Sequence, residues 1–173
     1  MTAADEDLVL SAEQIQAGVA AVAARLNDRF AGQDVVVITV VPGGILFTAD
    51  LVRQLTFDVS MDVMACPHTP GARHNDSPIV YHPTVSPQHR HVLLLDDAIE
   101  SGGTMQRLVE HLQLGYQCLS LSVATLLVKP GRVDIPVPQY HAFEMDNDDL
   151  LVGYGLPWED RRRNQPFVSR LKV

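Results

Sequence analysis

One stretch in the middle of the chain, residues 91–112, limits the possible folds more than any other part of the sequence. Residues 92–95 form an unbroken apolar run, with the length and composition of a strand covered on both faces, as in a parallel sheet. Asp96 and Asp97 follow directly, so we expect both carboxylates at the C-terminal edge of that sheet and outside its core. Ligands of open α/β sheets bind at this edge. The stretch therefore predicts an α/β fold with a polar site after this strand.

A turn of small residues follows the acidic pair and leads into a helix. It consists of Ser101, Gly102, Gly103 and Thr104, and the apolar residues after it recur at helical spacing. Glycines let backbone N–H groups approach an anion, the two hydroxyls add donors, and a helix N-terminus adds partial positive charge. The turn therefore predicts a phosphate site beside two carboxylates. From the residues alone, a solvated turn with a helix cap stays open as an alternative.

Composition narrows the class of protein. A chain of 173 residues with 46% hydrophobic residues can bury a sizeable core, and we expect a single domain over residues 1–173. The net charge of −8 argues against nonspecific binding to nucleic acid or to an anionic membrane. Two cysteines are too few for a disulfide framework, and no apolar run is long enough to cross a membrane. We therefore expect a cytoplasmic protein.

The rest of the chain supplies further helices and strands around this centre. Ser11 and Gln14 match a capping box, and periodicity distinguishes helices from strands elsewhere. The predicted elements, in chain order, are a helix from Ser11 to about Gly32, a strand over 35–41, a helix over 45–55, a strand over 57–65, a short strand over 79–82, a helix ending at Gly115, a strand over 119–128, and short strands over 140–144 and 150–152.

Residues 66–77 break this pattern, because proline, glycine, asparagine and aspartate dominate there. A long loop in a compact domain is often an active-site lid. His68, Arg73 and His74 are candidates to contact an anionic ligand from this loop, although solvated side chains are the commoner case for these residue types.

The order of residues from 92 to 104 closely resembles the signature of type I phosphoribosyltransferases, which bind phosphoribosyl pyrophosphate. Three further stretches resemble hypoxanthine-guanine phosphoribosyltransferases, namely VVPGGILFTADLVRQL, ATLLVKP and LLVGYGLPWEDRRRNQPF. The resemblance implies a central parallel sheet flanked by helices, with a small hood built from terminal segments. It also implies Mg²⁺-dependent transfer of a phosphoribosyl group to hypoxanthine or guanine, by a homodimer or homotetramer.

The resemblance assigns roles to the residues that follow the central strand. Asp96 and Asp97 would hold the ribose hydroxyls and contact Mg²⁺, and residues 101–104 would hold the 5′-phosphate. Glu100 would help to remove the proton from N7 of the purine. It is one methylene longer than the family's usual Asp.

Residues from three other loops complete the implied site. Pro42, Gly43, Gly44 and Arg163 would contact pyrophosphate, and the peptide bond before Pro42 would be cis. The implied purine contacts are Lys129, which would donate to the oxygen at C6, and Leu150 and Leu151, the second of which would offer backbone groups to the base edge.

Several positions depart from the family's pattern, and two of them concern the base and the metal. Leu150 stands where a ring usually stacks on the purine, at a cost on the order of 1 kcal/mol in base affinity. Pro157 stands where an Asp is usually associated with the metal. Two alternatives therefore stay open: a non-catalytic sensor of phosphoribosyl pyrophosphate or a nucleotide, and a phosphoribosyltransferase for another base such as xanthine.

Overall fold

The computed structural model describes residues 6–67 and 75–172, which form two sheets and three helices. The strands are β1 Glu6–Leu10, β2 Asp34–Val41, β3 Asp58–Ala65, β4 His91–Ile99, β5 Ser120–Val128, β6 Gln139–Glu144, β7 Leu151–Val152 and β8 Val168–Leu171. The helices are α1 Ala12–Phe30, α2 Ile45–Val52 and α3 Gly103–Tyr116.

The larger sheet is parallel throughout, with the strand order β3-β2-β4-β5-β6. From β2 the chain passes to β3 on one side and then returns to β4 on the other side of β2. The connections therefore diverge between β2 and β4, and such a switch point opens a crevice at the C-terminal ends of the strands. The predicted site residues after β2 and β4 lie at this crevice.

Alternate residues of the central strands pack against different helices, because successive side chains of a strand point to opposite faces. Val35 and Val37 belong to the apolar cluster that includes residues of α1 and α2. Val36 and Ile38 belong to a second cluster that includes residues of α3. The parallel sheet is thus covered by helices on both faces, which confirms the predicted α/β fold.

The smaller sheet joins the two ends of the chain in the antiparallel order β1-β8-β7. It confirms the hood that the resemblance implies. The sequence did not predict β1 or β8, because both are short and each depends on pairing with a strand about 160 residues away. An ion pair between Arg162 and Glu6 adds a second link between β1 and the C-terminal region.

Several predicted boundaries were wrong. Helix α2 ends at Val52 rather than at residue 55, because the amides of Gln54 and Leu55 donate to the carbonyls three residues back and tighten the chain into a 3₁₀-type turn. Helix α3 continues past Gly115 to Tyr116, and Gln117 ends it in the left-handed region with φ of 47°. Residues 79–82 form no strand but only an isolated bridge between Val80 and Ala65.

Three further expectations concern the long loop, the cysteines and a possible membrane span. His68, Arg73 and His74, the proposed anion contacts of the long loop, lie outside the described residues. Cys66 and Cys118 are both free thiols. Among the helices of residues 6–67 and 75–172, none has the length and apolar character needed to span a membrane.

Candidate active site

The candidate site lies where the loops after β2, β4 and β5 meet the hood. These three strands are neighbours in the parallel sheet, so their C-terminal ends deliver Pro42, Glu100 and Lys129 to one edge. Backbone pairing continues to the end of β4 and β5, since the amide of Lys129 donates to the carbonyl of Ile99 at 2.8 Å. The position of each loop is therefore fixed by the sheet.

Asp96 and Asp97 belong to β4 itself, and the prediction that they lie outside the core was wrong for Asp97, which is buried. The ladder continues to Ile99, which draws the pair under the surrounding loops. Burial, together with the charge of Asp97, raises the pKa of the Asp96 carboxyl well above its usual range. Burial also raises the pKa of Asp97, although hydrogen bonds and the Arg163 guanidinium act in the opposite direction. A cation bound beside these two adjacent carboxylates would therefore be stabilised by their negative charge.

The loop after β2 packs directly on this pair. The Val41–Pro42 peptide bond is cis, as the resemblance implies. A Cβ atom on Gly43 would lie 2.7 Å from Oδ2 of Asp97, and one on Gly44 would lie 2.8 Å from the carbonyl oxygen of Val40. Only residues without a side chain fit here, which leaves the loop backbone free to approach a ligand beside the carboxylates.

A hood loop completes this side of the site. Gly155 has φ of +100°, and a Cβ atom there would lie 2.2 Å from the carbonyl oxygen of Gly43. Nη1 of Arg163 donates to the carbonyl of Gly155 at 2.7 Å, and the amide of Gly155 donates to the carbonyl of Arg163 at 2.8 Å. These contacts hold the guanidinium near the acidic pair, where its positive charge partly offsets the effect of burial, which raises the pKa of both carboxyls.

The turn after Glu100 forms the start of α3, as predicted. Gly102 takes φ of +87°, which a residue with a side chain rarely adopts, and the helix begins at Gly103. The first amide of the helical ladder is that of Gln106, which donates to the carbonyl of Gly102 at 2.9 Å. Of the amides before it, that of Gly103 donates to Oγ of Ser101 at 3.5 Å, and those of Thr104 and Met105 belong to the first turn, whose amides have no partner within the helix. An anion is therefore favoured between Ser101 and Thr104.

Lys129 is buried, with 4% of its surface exposed, whereas its residue type and position alone favour an exposed charge at the end of a strand. Its Nζ atom lies 3.0 Å from Oε1 of Glu100 and 3.5 Å from Oδ1 of Asp148. Both partners are at least half exposed, so the ammonium is covered on the protein side and faces carboxylates on the solvent side. The predicted proton acceptor, Glu100, and the predicted purine donor, Lys129, are thus in direct contact.

The two leucines assigned to the purine differ in exposure. Leu150 is 38% exposed, and its carbonyl accepts the amide of Leu171 at 3.0 Å. Leu151 is buried in β7 and is paired with Arg170 of β8. Because β7 is an edge strand, its outer side is the one that a base could use.

The structure brings the predicted site residues into one region, in two adjoining groups. One group consists of residues 42–44, the acidic pair and Arg163, and the other of Glu100, Lys129 and the segment from Asp148 to Leu151. Sequence reasoning missed Gly155 and Asp148. The Gly-Tyr-Gly sequence at 153–155 was an available signal for the first, whereas Asp148 is one of several acids in an exposed turn and carried none.

Comparisons with known proteins agree with this geometry. A family model described as a phosphoribosyl transferase domain matches residues 7–157, which include every candidate site residue except Arg163. The chain is 30% identical over 167 residues to the hypoxanthine-guanine phosphoribosyltransferase of Mycoplasma pneumoniae, which covers 95% of this chain and 94% of that protein.

Two solved structures have the same fold over nearly their whole length. One is a hypoxanthine-guanine phosphoribosyltransferase from Bacillus anthracis with a HEPES molecule in its active site, with a TM-score of 0.86, 31% identity, and coverage of 96% of this chain and 97% of that chain. The other is a hypoxanthine-guanine-xanthine phosphoribosyltransferase, with a TM-score of 0.85, 29% identity, and coverage of 98% and 99%.

Proposed function

Since the chain belongs to the phosphoribosyltransferase family, we propose that it transfers a phosphoribosyl group from phosphoribosyl pyrophosphate to hypoxanthine or guanine, which gives the purine nucleotide and pyrophosphate. The observation that carries this proposal is the convergence of the acidic pair, a glycine loop and Arg163 at one crevice, with Lys129 and Glu100 beside it. In this proposal, residues 1–173 act as one phosphoribosyltransferase-like domain.

The charges of the site suit this reaction. As the bond between the ribose carbon and pyrophosphate breaks, positive charge develops on the sugar and negative charge on the leaving group. Asp96 and Asp97 hold the ribose hydroxyls and offset the positive charge. Arg163 and the backbone of Gly43 and Gly44 hold pyrophosphate, while residues 101–104 bind the 5′-phosphate at the N-terminus of α3.

The acidic pair also fits a Mg²⁺ ion. Mg²⁺ prefers oxygen ligands and is commonly held by one or two carboxylates together with substrate phosphates. Burial disfavours the ionised forms of Asp96 and Asp97 and raises the pKa of both carboxyls. A divalent cation beside them would act in the opposite direction and favour the ionised forms. When bound, the metal neutralises negative charge on the pyrophosphate. Pro157 supplies no such ligand, so the pair is the metal's protein contact in this proposal.

Glu100 and Lys129 act on the purine. Lys129 donates a charge-assisted hydrogen bond to the oxygen at C6, and Glu100 accepts the proton from N7. Their 3.0 Å contact supports a shared task, because the carboxylate holds the buried ammonium in place. Leu150 and Leu151 lie two and three residues after Asp148, the second carboxylate near Lys129, and contact the base from the hood side.

A single assay tests the proposed reaction. Pyrophosphate release is measured with hypoxanthine, guanine and xanthine, each with and without Mg²⁺. We expect release with hypoxanthine or guanine only when Mg²⁺ is present. Release with xanthine alone would instead indicate a phosphoribosyltransferase for xanthine. The likeness to the hypoxanthine-guanine-xanthine phosphoribosyltransferase structure makes this a specific alternative. Binding of phosphoribosyl pyrophosphate without any release would indicate a non-catalytic sensor.

Lys129→Met is expected to impair purine use selectively. The substitution removes a charged donor to the base, which is worth about 1.5–3 kcal/mol, and so raises the KM for hypoxanthine or guanine by about 10- to 100-fold. The phosphate contacts are untouched, so the KM for phosphoribosyl pyrophosphate should change little. Steady-state kinetics with each substrate varied in turn measures the split. Equal losses for both substrates would indicate a folding defect instead.

Assembly and location are predictions that accompany the proposed function. The homodimer or homotetramer implied by the resemblance is checked by sedimentation velocity. Met61 and Val63 support an assembly surface on the edge strand β3, because they are 51% and 55% exposed although apolar. The cytoplasmic location expected from the sequence also stays a prediction.

A further inference from the structure

A buried asparagine outside the assigned site residues contacts the phosphate-binding turn. Asn75 is 8% exposed, and its Nδ2 atom donates to Oγ1 of Thr104 at 3.0 Å. The same Nδ2 faces the carbonyl oxygen of Cys66 at 3.4 Å, and Oδ1 accepts the amide of Ser77 at 3.0 Å. A loop residue therefore makes a hydrogen bond to a side chain in the first turn of α3.

The neighbours of Asn75 determine which way its side-chain amide points. The backbone amide of Ser77 can only donate, so it must face Oδ1. The carbonyl of Cys66 can only accept, so it must face Nδ2. With this orientation, Nδ2 is a donor to the Thr104 hydroxyl, and the hydroxyl oxygen must accept. The single hydroxyl hydrogen of Thr104 is then left to donate elsewhere.

We propose that Asn75 is a positioning residue that commits the Thr104 hydroxyl to donating toward the 5′-phosphate of the substrate. The inference rests on the proposed function, which places that phosphate at residues 101–104. A hydroxyl can donate or accept, and a phosphate oxygen only accepts. By occupying a lone pair of Oγ1, Asn75 removes the alternative orientation and pre-organises the donor before the substrate binds.

Arg107 holds Asn75 in this position. It lies one turn after Thr104 on α3, and its guanidinium donates to the carbonyl of Asn75 and, at 3.0 Å, to the carbonyl of Ser77. The planar guanidinium thereby fixes two backbone carbonyls of the loop relative to the helix that carries Thr104. The relative placement of Asn75 and Thr104 is set by rigid structure rather than by their own hydrogen bond alone.

The role of Asn75 predicts a change in substrate affinity and not in turnover. Asn75→Ala should raise the KM and the Kd for phosphoribosyl pyrophosphate by about threefold to tenfold, the usual scale for one hydrogen bond. The value of kcat and the KM for the purine should change less than about twofold. Thr104→Val, which keeps the shape and removes the hydroxyl, should raise the same KM and Kd by about tenfold.

Combining substitutions tests whether Asn75 acts through the Thr104 hydroxyl. Asn75→Ala is made in three backgrounds: wild type, Thr104→Ser, which keeps a hydroxyl, and Thr104→Val, which has none. We expect the affinity loss in the first two backgrounds and a further change below about twofold in the third, because the interaction is already gone. Kd is measured by calorimetry with phosphoribosyl pyrophosphate and Mg²⁺, and thermal unfolding is recorded for each variant.

Asn27→Ala is the matched structural control. Asn27 also ties a loop with its side chain, since Nδ2 donates to the carbonyl of Gln54 at 2.9 Å and Oδ1 accepts the amide of Thr56 at 2.9 Å. It should lower the unfolding temperature without changing the KM for phosphoribosyl pyrophosphate. If Asn75→Ala behaves in the same way, Asn75 is merely structural and the inference fails.

The outcomes separate this inference from the proposed function. If Thr104→Val weakens substrate binding but Asn75→Ala does not, the phosphate site stands and the role of Asn75 is wrong. An additive loss in the Thr104→Val background would also overturn it, because Asn75 would then act independently of the hydroxyl. If Thr104→Val has no effect, or the protein does not bind phosphoribosyl pyrophosphate, the proposed function fails first.

Discussion

Glu100→Gln is expected to lower kcat by about 10²-fold or more, the usual scale of general acid–base help. The amide cannot take the N7 proton, yet it has the size of the carboxylate. Its oxygen can still accept the hydrogen bond that Lys129 makes to Glu100 at 3.0 Å. Substrate binding should therefore change far less than turnover, and single-turnover kinetics at saturating substrate measures the chemical step directly.

Glu100→Asp is the matched control, because it keeps a carboxylate and restores the family's usual residue. It should retain most of the turnover, provided that the shorter side chain still reaches N7. Thermal unfolding of both variants checks that the fold is unchanged, as expected for a side chain that is about half exposed. If Glu100→Gln turns over like the wild type, the carboxylate serves only to pair with Lys129.

The parallel sheet could be predicted because its signal is local. Residues 92–95 and 35–38 are buried completely, and each run reads as an unbroken apolar strand. The capping box at Ser11 and Gln14 is likewise present in the structure, with both reciprocal hydrogen bonds. In each case the residues that specify the element also make its contacts, so a short window of sequence is sufficient.

The hood could not be predicted in the same way, because its contacts are not local. Strand β1 contains two acids in five residues, and β8 contains a serine and an arginine in four. Neither segment alternates strongly enough to stand out. They form strands because the C-terminal segment returns to pair with the N-terminal one. The resemblance, rather than the residues of these segments, indicated that a hood exists.

The sequence predicted which residues belong to the candidate site better than it predicted how deeply they are buried. Motif spacing placed Asp96, Asp97 and Lys129 at strand ends. In the structure, the acidic pair lies within the last four residues of β4, and Lys129 directly follows β5. The burial of Asp97 and Lys129 depends on the loops that cover them, and these come from distant parts of the chain. Gly155 shows the same limit, since its close approach to Gly43 joins residues 112 positions apart in the sequence.

Replacing both acids, Asp96→Asn with Asp97→Asn, is expected to weaken binding of phosphoribosyl pyrophosphate by about 10²-fold or more. Hydrogen bonds to a charged group are worth about 1.5–3 kcal/mol each, and the double variant loses the charge of two acceptors together with the Mg²⁺ contact. Calorimetric titration with phosphoribosyl pyrophosphate and Mg²⁺ measures the loss. The exposed double variant Asp28→Asn with Asp58→Asn changes the net charge equally and should bind like the wild type.

The double variant Asp96→Asn with Asp97→Asn should be at least as stable as the wild type. Burial raises the pKa of both carboxyls, so ionising either one costs more free energy in the folded state than in the unfolded chain. A raised carboxyl pKa costs stability above the unfolded-state pKa, and the neutral amide removes that cost.

The local backbone contacts survive the change. Oδ1 of Asp96 accepts the amide of Asp97 at 2.8 Å and Oδ1 of Asp97 accepts the amide of Ala98 at 2.7 Å, which an asparagine oxygen can also do. We therefore expect an unfolding temperature that is unchanged or higher, together with the loss of binding. Unchanged affinity would overturn the ribose and metal assignment. A lower unfolding temperature would instead give the acidic pair a structural role. Affinity and unfolding temperature, measured on the same variant, therefore distinguish a pair that binds the ligand from a pair that stabilises the fold.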